Sequence, residues 1–241
     1  MSFLINIFNT ILYRPLFNFL VLLYKHIPGH DFGLAIIILT VSIKLLLYPL
    51  GTRAIKSQKD LSEIQPQVKE IQEKYKDNKE EQMREIMGLY KKAKVSPFSG
   101  FLLLLIQLPI LIALYRVFWR GLQSEQMVFL YSFISIPESV NSSFLGVINL
   151  AQPHLVLALL AGILQFFLTK MTIPKAKLKN KPNKKSDFSN IMQKQMQYFF
   201  PIFTVLILFR LPSAIGLYWI TTTLFSIIQQ YFVFKKRLKQ A

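Results

Sequence analysis

A lysine, Lys44, lies inside an otherwise apolar run from Phe32 to Leu50, shortly before Pro49. Placing an ionisable side chain at that depth costs about 2.5 kcal/mol or more, so such a group ordinarily faces a protein interior or a water-filled cavity. The plainer alternative is snorkelling, since the end of the run is only six to seven residues away, or about 10 Å. Thr40 lies one helical turn earlier on the same face, which extends a polar stripe beyond the lysine. Other apolar runs carry Gln107, Gln165, Thr221, Thr222, Thr223 and Gln229. Gln107 precedes Pro109, whose missing N–H frees a backbone carbonyl in the same turn. Each of these groups could be interhelical glue worth about 0.6 kcal/mol. As a set drawn from several runs, they suggest a wet concavity open to the cytoplasm. Tyr218 and Trp219 can be read as interfacial anchors or as contacts for a substrate.

The same inventory argues against an enzyme. There is no cysteine, and His26, His30 and His154 are scattered without ligand spacing. No Asp or Glu falls within an expected span and His154 stands only at the first position of one, so no nucleophile and base converge there. A phosphate-binding glycine loop and a zinc-binding HExxH motif are both lacking. The expectation is a non-enzyme with no cofactor, no metal and no small-molecule substrate.

The elements that must hold these residues follow from composition. The 241 residues are 52% hydrophobic yet carry a formal net charge of +17. Apolar runs that need lipid, joined by basic loops that need water and anionic headgroups, account for both values. The sequence predicts an all-α polytopic membrane protein with five transmembrane helices at 32–50, 98–118, 154–169, 196–211 and 213–234. A helix needs about 20 residues to cross about 30 Å of hydrocarbon. The third and fourth runs are at or below that limit, which favours local thinning of the bilayer. Residues 1–30 read as an interfacial amphipathic helix, because Arg14-Pro15 interrupts the apolar run and Asn6, Asn9 and Asn18 recur through it. A sixth span is the alternative. The N-terminus lacks the basic start and small-residue cleavage site of a signal peptide, so Met1 is expected to be the mature start.

Between the first two spans, 51–95 shows helical periodicity. Leu61, Ile64, Val68, Ile71 and Tyr75 form one apolar stripe, and Met83, Ile86, Met87 and Tyr90 form another, with Asp77-Asn78 as the turn. A cytoplasmic helical hairpin, hinged at Pro66, is expected; it could be a solvated spacer or a contact arm. The segment 119–153 is an external loop, 170–194 a basic cytoplasmic loop and 235–241 a basic tail. These cytoplasmic segments hold twenty-three of the 29 Lys and Arg residues, against five on the other side. That bias places the N-terminus outside and the C-terminus in the cytoplasm. The basic loop and tail could hold anionic lipid or ribosomal RNA.

Several stretches resemble the YidC/Oxa/Alb insertase family. TVSIKLLLYPL (40–50) is similar to its first core helix, and KVSPFSG (94–100) with LLIQLPILIALY (104–115) to its second. FFPIF (199–203), LPSAIGLYW (211–219) and IIQQ (227–230) resemble its last two helices, and YRPLFN (13–18) its preceding amphipathic helix. The likeness covers nearly the whole chain, in order, and is to the bacterial form without a large periplasmic domain. It implies a membrane insertase and chaperone of the bacterial plasma (inner) membrane. Nascent membrane proteins and the lipid bilayer are the implied partners, with the ribosome and the Sec translocon as candidates. Lys44, Thr40 and Gln107 would line a hydrated cationic groove open to cytoplasm and lipid, with Tyr218 and Trp219 on its substrate-facing slide. Two positions depart from the pattern: Lys44 stands where arginine is usual, and Leu111 where an aromatic is common. The rival reading is a small transporter coupled through Lys44.

Overall fold

The computed structural model describes residues 2–96, 99–120, 124–136, 141–172 and 186–238. It is a helical bundle with one small β-hairpin, in agreement with the all-α class. The basic stretch 173–185 and the last three tail residues, 239–241, lie outside the described residues, as does position 98 at the start of the second expected span.

The N-terminal segment comprises α1 (Ser2–Phe8), a π-helical turn at Asn9–Tyr13 and α2 (Arg14–His26). The expected interruption at Arg14-Pro15 does not occur. Pro15 occupies the first turn of α2, where a missing N–H costs little, and the wider turn before it returns the Arg14 N–H to Asn9 O. Pro28-Gly29 then reverses the chain, with Gly29 at φ 75°. The Asp31 carboxylate caps α3 (Phe32–Leu46) by accepting from the Leu34 N–H at 2.8 Å.

The helix expected over the first span, 32–50, breaks before Leu50. Pro49 cannot donate to the Leu45 carbonyl, and the axis turns by 66° at Leu47. Tyr48–Lys74 forms α4, so Tyr48, Pro49 and Leu50 belong to the hairpin arm. Pro66 lies inside that helix without ending it. The Asn78 side chain caps α5 (Lys79–Lys92), which folds back on α4. The second stripe does not close as one face: Ile86 and Tyr90 are half-buried, but Met83 and Met87 are exposed. The short α5 covers only part of its longer partner.

Next come α6 (Ser99–Arg120) and a 3-10 turn at Ser124–Phe129. An antiparallel pair follows, β1 (Ser143–Phe144) with β2 (Ile148–Asn149), and then α7 (Leu155–Thr172), α8 (Ser186–Leu208) and α9 (Ser213–Leu238). The eighth helix reaches back into the expected basic loop, because residues 186–194 continue its helical pattern. At the centre, α9 is packed by α3, α7 and α6, with α4 against its C-terminal half. Ala158, Ala161 and Gly162 put small residues on the buried face of α7, allowing close helix approach. A Cβ on Gly162 would collide with the Val205 side chain of α8.

By length and apolarity, two continuous helices among the described residues can cross a bilayer, Ile5–His26 and Leu155–Thr172. A third crosses if α3 and α4 count as one bent span, and α6 and α8 add the shorter apolar stretches Gln107–Phe118 and Gln197–Leu208. Outward-facing Leu159, Ile163 and Phe167 on α7, and Phe199, Ile202, Phe203 and Leu206 on α8, give the bundle an apolar exterior suited to lipid.

Candidate functional site

Four of the polar groups picked out along the chain, Lys44, Gln107, Tyr218 and Thr222, collect on one side of α9. Tyr218, Thr222 and Ser226 recur every four residues, so their side chains fall on one face of the helix. Lys44, in the last turn of α3, donates from Nζ to Ser226 Oγ at 3.2 Å. Ser226 Oγ in turn donates to the Thr222 carbonyl at 2.8 Å, so the hydroxyl is oriented to receive the ammonium. Two turns up the stripe, Gln107 Nε2 of α6 donates to Tyr218 Oη at 2.5 Å. Thr222 Oγ1, between these contacts, is buried without a protein partner of full hydrogen-bond geometry.

Lys44 is half-buried. Ser226 takes one of its three ammonium protons, and no carboxylate lies in the apolar run around it. A cation held by one neutral hydroxyl keeps donors for water or for an incoming acceptor. Chemically the arrangement can solvate polar or negative groups at membrane depth, and no cluster of metal-ligating side chains is found among the described residues.

The five expected site residues are not equivalent. Lys44 and Gln107 reach the same stripe from different helices. Thr40 shares the Lys44 face but is 1% exposed, and its hydroxyl donates to its own helix at Ile36 O, 2.6 Å away. Tyr218 is buried against Gln107 and the Phe118 ring, away from lipid. Trp219 points the other way, towards α7, where its Nε1 donates to Gln165 Oε1 at 3.3 Å, and it remains partly exposed. Ser226 was missed by the sequence reading; its signal was the four-residue step from Thr222.

The end of the bundle that carries the N-terminal helices has a second polar set. Asn18 Nδ2 donates to Phe129 O at 2.9 Å and to Arg14 O at 2.7 Å, while its Oδ1 accepts from the Tyr131 N–H at 2.7 Å. Arg116 Nη1 donates to Asn9 Oδ1 at 2.8 Å and lies over the Tyr13 ring. Tyr13 Oη donates to Gln126 Oε1 at 2.7 Å, and Tyr24 Oη accepts from the Asn141 N–H at 2.9 Å. Two of the three asparagines that made the N-terminal run look interfacial, Asn9 and Asn18, therefore bind protein.

Comparison with known proteins gives the chain relatives over most of its length. The 60Kd inner membrane protein family matches residues 22–240. A protein of Fusobacterium nucleatum named membrane protein insertase YidC is 35% identical over 206 residues, covering 86% of this chain and 87% of that one. Its namesake in Chloroherpeton thalassium is 35% identical over 227 residues, 94% of this chain but 36% of the longer relative. One from Francisella philomiragia is 32% identical over 203 residues, covering 84% and 32% respectively. The chain thus spans about a third of some relatives and nearly all of another.

Proposed function

Because the chain belongs to the 60Kd inner membrane protein family, we infer that it is a membrane protein insertase, taking nascent proteins into the bacterial inner membrane. The observation that carries the mechanism is the pairing of Lys44 with Ser226 on the same face of α9 that carries the Gln107–Tyr218 contact. A polar or acidic tail of a substrate entering beside α9 meets a cation with free donors, then an amide and a phenol, in place of bare hydrocarbon. The cost of taking such a tail part way across the bilayer falls accordingly. Transfer of the substrate's own apolar helix into lipid supplies the driving force. Thr40 shapes the floor beneath Lys44, Tyr218 stiffens the wall, and Trp219 edges the slide towards α7.

The orientation has the N-terminus outside, five spans and a C-terminus in the cytoplasm, as the Lys and Arg bias suggests. Within it, residues 1–30 lie on the outer surface instead of forming a sixth span. One contact and one connection support this. Asn9 meets Arg116 at the outer end of α6, and His26 leads through a short turn to the outer start of α3, so both ends are on one side. The basic segments 170–194 and 235–241 offer phosphate contacts to a ribosome, and the hairpin offers a face to the Sec translocon.

The test is complementation in a bacterium depleted of its own insertase, following a single-span substrate with an acidic translocated tail. Wild type and Lys44→Arg should restore insertion. Lys44→Glu, folded and present at equal level, should lower it at least about tenfold, because like charge at low dielectric is strongly unfavourable. Rescue by all three would remove the cation from the mechanism. No rescue by wild type would refute the insertase reading and favour a transporter.

A further inference from the structure

Three residues beyond Lys44 the chain breaks direction, and the hairpin's first arm leaves the membrane core at 66° to α3. A break at Leu47, followed by Pro49, lacks the continuous hydrogen-bond ladder that stiffens a helix. Something else must hold the angle. Gln229, 5% exposed and one turn after Phe225 on α9, reaches into this corner. Its Nε2 donates to Tyr48 O at 2.9 Å and to Thr52 Oγ1 at 3.1 Å. Gly51 makes room for it: a Cβ there would stand 3.0 Å from Nε2 and 3.1 Å from Oε1, tighter than nearly all real Cβ contacts. The Tyr48 ring meets Phe225 edge-on at 6.3 Å on one side, and the Lys59 ammonium lies 5.0 Å from the Phe234 ring centroid on the other. The carboxamide is therefore the hydrogen-bonding rung in a three-rung contact between the root of the hairpin and α9.

We propose that Gln229, seated on Gly51, is a positioning residue that locks the cytoplasmic hairpin to α9 and so fixes where the hairpin stands relative to the Lys44 groove. With the lock made, α4 moves with α9. Without it, α4 pivots at Leu47 and the hairpin samples positions away from the groove mouth. The neighbouring Gln230 turns to α7 instead, donating to Thr172 Oγ1 at 3.3 Å. The two adjacent glutamines thus separate the role of this corner from general packing of α9. The lock itself is a structural statement; its effect on insertion rests on the insertase reading above.

The chain has no cysteine, so spin labels can be placed at Asp77→Cys on the hairpin turn and Val147→Cys on the external hairpin, both highly exposed. The full chain in lipid vesicles should give one narrow distance distribution. Gln229→Glu keeps the side-chain volume but loses the donor, and Gly51→Ala keeps the donor but displaces it. Each should raise the fraction outside the wild-type peak about three- to tenfold, as expected for loss of one or two buried hydrogen bonds. Gln230→Ala should leave the distribution unchanged. Wild-type width in both Gln229→Glu and Gly51→Ala overturns the proposal, and so does equal broadening in Gln230→Ala. Insertion measured on the same vesicles should fall in the two broadened variants. A wild type that inserts nothing would refute the insertase reading while leaving the distance result to decide the lock.

Discussion

The end of the bundle that carries the N-terminal helices and the stripe on α9 use the same kinds of polar residue to opposite effect. At that end, asparagine, arginine and tyrosine side chains are consumed largely by backbone groups of the loop they hold. Asn18 alone engages Arg14, Phe129 and Tyr131, and Asp31 both caps α3 and accepts from the Leu145 N–H. The loop also caps α9, because the Ser213 and Ala214 N–H groups donate to Gln152 O and Leu150 O. Along α9, Lys44 has a single serine hydroxyl, and Thr222 Oγ1 is buried with only the neighbouring Tyr218 hydroxyl to meet. A polar group that is fully paired closes a surface; one that is partly paired retains affinity for water or a substrate. The two polar sets of the bundle thus differ in how fully their side chains are paired.

That contrast can be broken at either end. The largest effect is expected from Asn18→Leu, which removes the acceptor of the Tyr131 N–H and leaves the Phe129 carbonyl with Arg14 Nε alone. About 2–4 kcal/mol of stability should be lost, seen as a lower melting temperature in detergent and new protease cleavage within 124–136. Insertion per folded molecule should not change, and a selective fall there would erase the distinction between the two ends. Asp31→Ala removes the cap of α3 and should cost about 1–2 kcal/mol, again without altering insertion per folded molecule. Tyr218→Phe sharpens the comparison from inside. Its stability change should be only about 0.6 kcal/mol, yet insertion of substrates with polar tails should fall while that of tail-less substrates holds. Equal loss for both substrates would make the Gln107–Tyr218 contact ordinary packing.

Much of the fold was legible because it depends on local order. Apolar runs, proline positions and the alternating steps from Leu61 to Tyr75 report on neighbours within a few residues, and helices are local structures. The ordered motifs identified the family that residues 22–240 match. Boundaries were less legible. The first span was drawn through to Leu50, but the missing Pro49 donor turns the axis at Leu47. Arg14-Pro15 read as an interruption, yet a single wide turn absorbs it. Met83 and Met87 belong to a helical stripe, but the stripe's period cannot say how far a partner helix will cover it.

The sequence by itself determined the membrane class and the helical architecture, through composition and periodicity, and it carried the family in its ordered motifs and a lysine inside an apolar run. Tertiary structure alone decided which polar groups are spent and which remain. Lys44 finds Ser226 across 182 residues, and Gln107 finds Tyr218 across 111. Asn18, by contrast, disappears into a loop more than a hundred residues away. A side chain's type fixes how many hydrogen bonds it can make, but only the folded chain fixes how many it does make. The difference between those two numbers is what remains to bind water or a substrate.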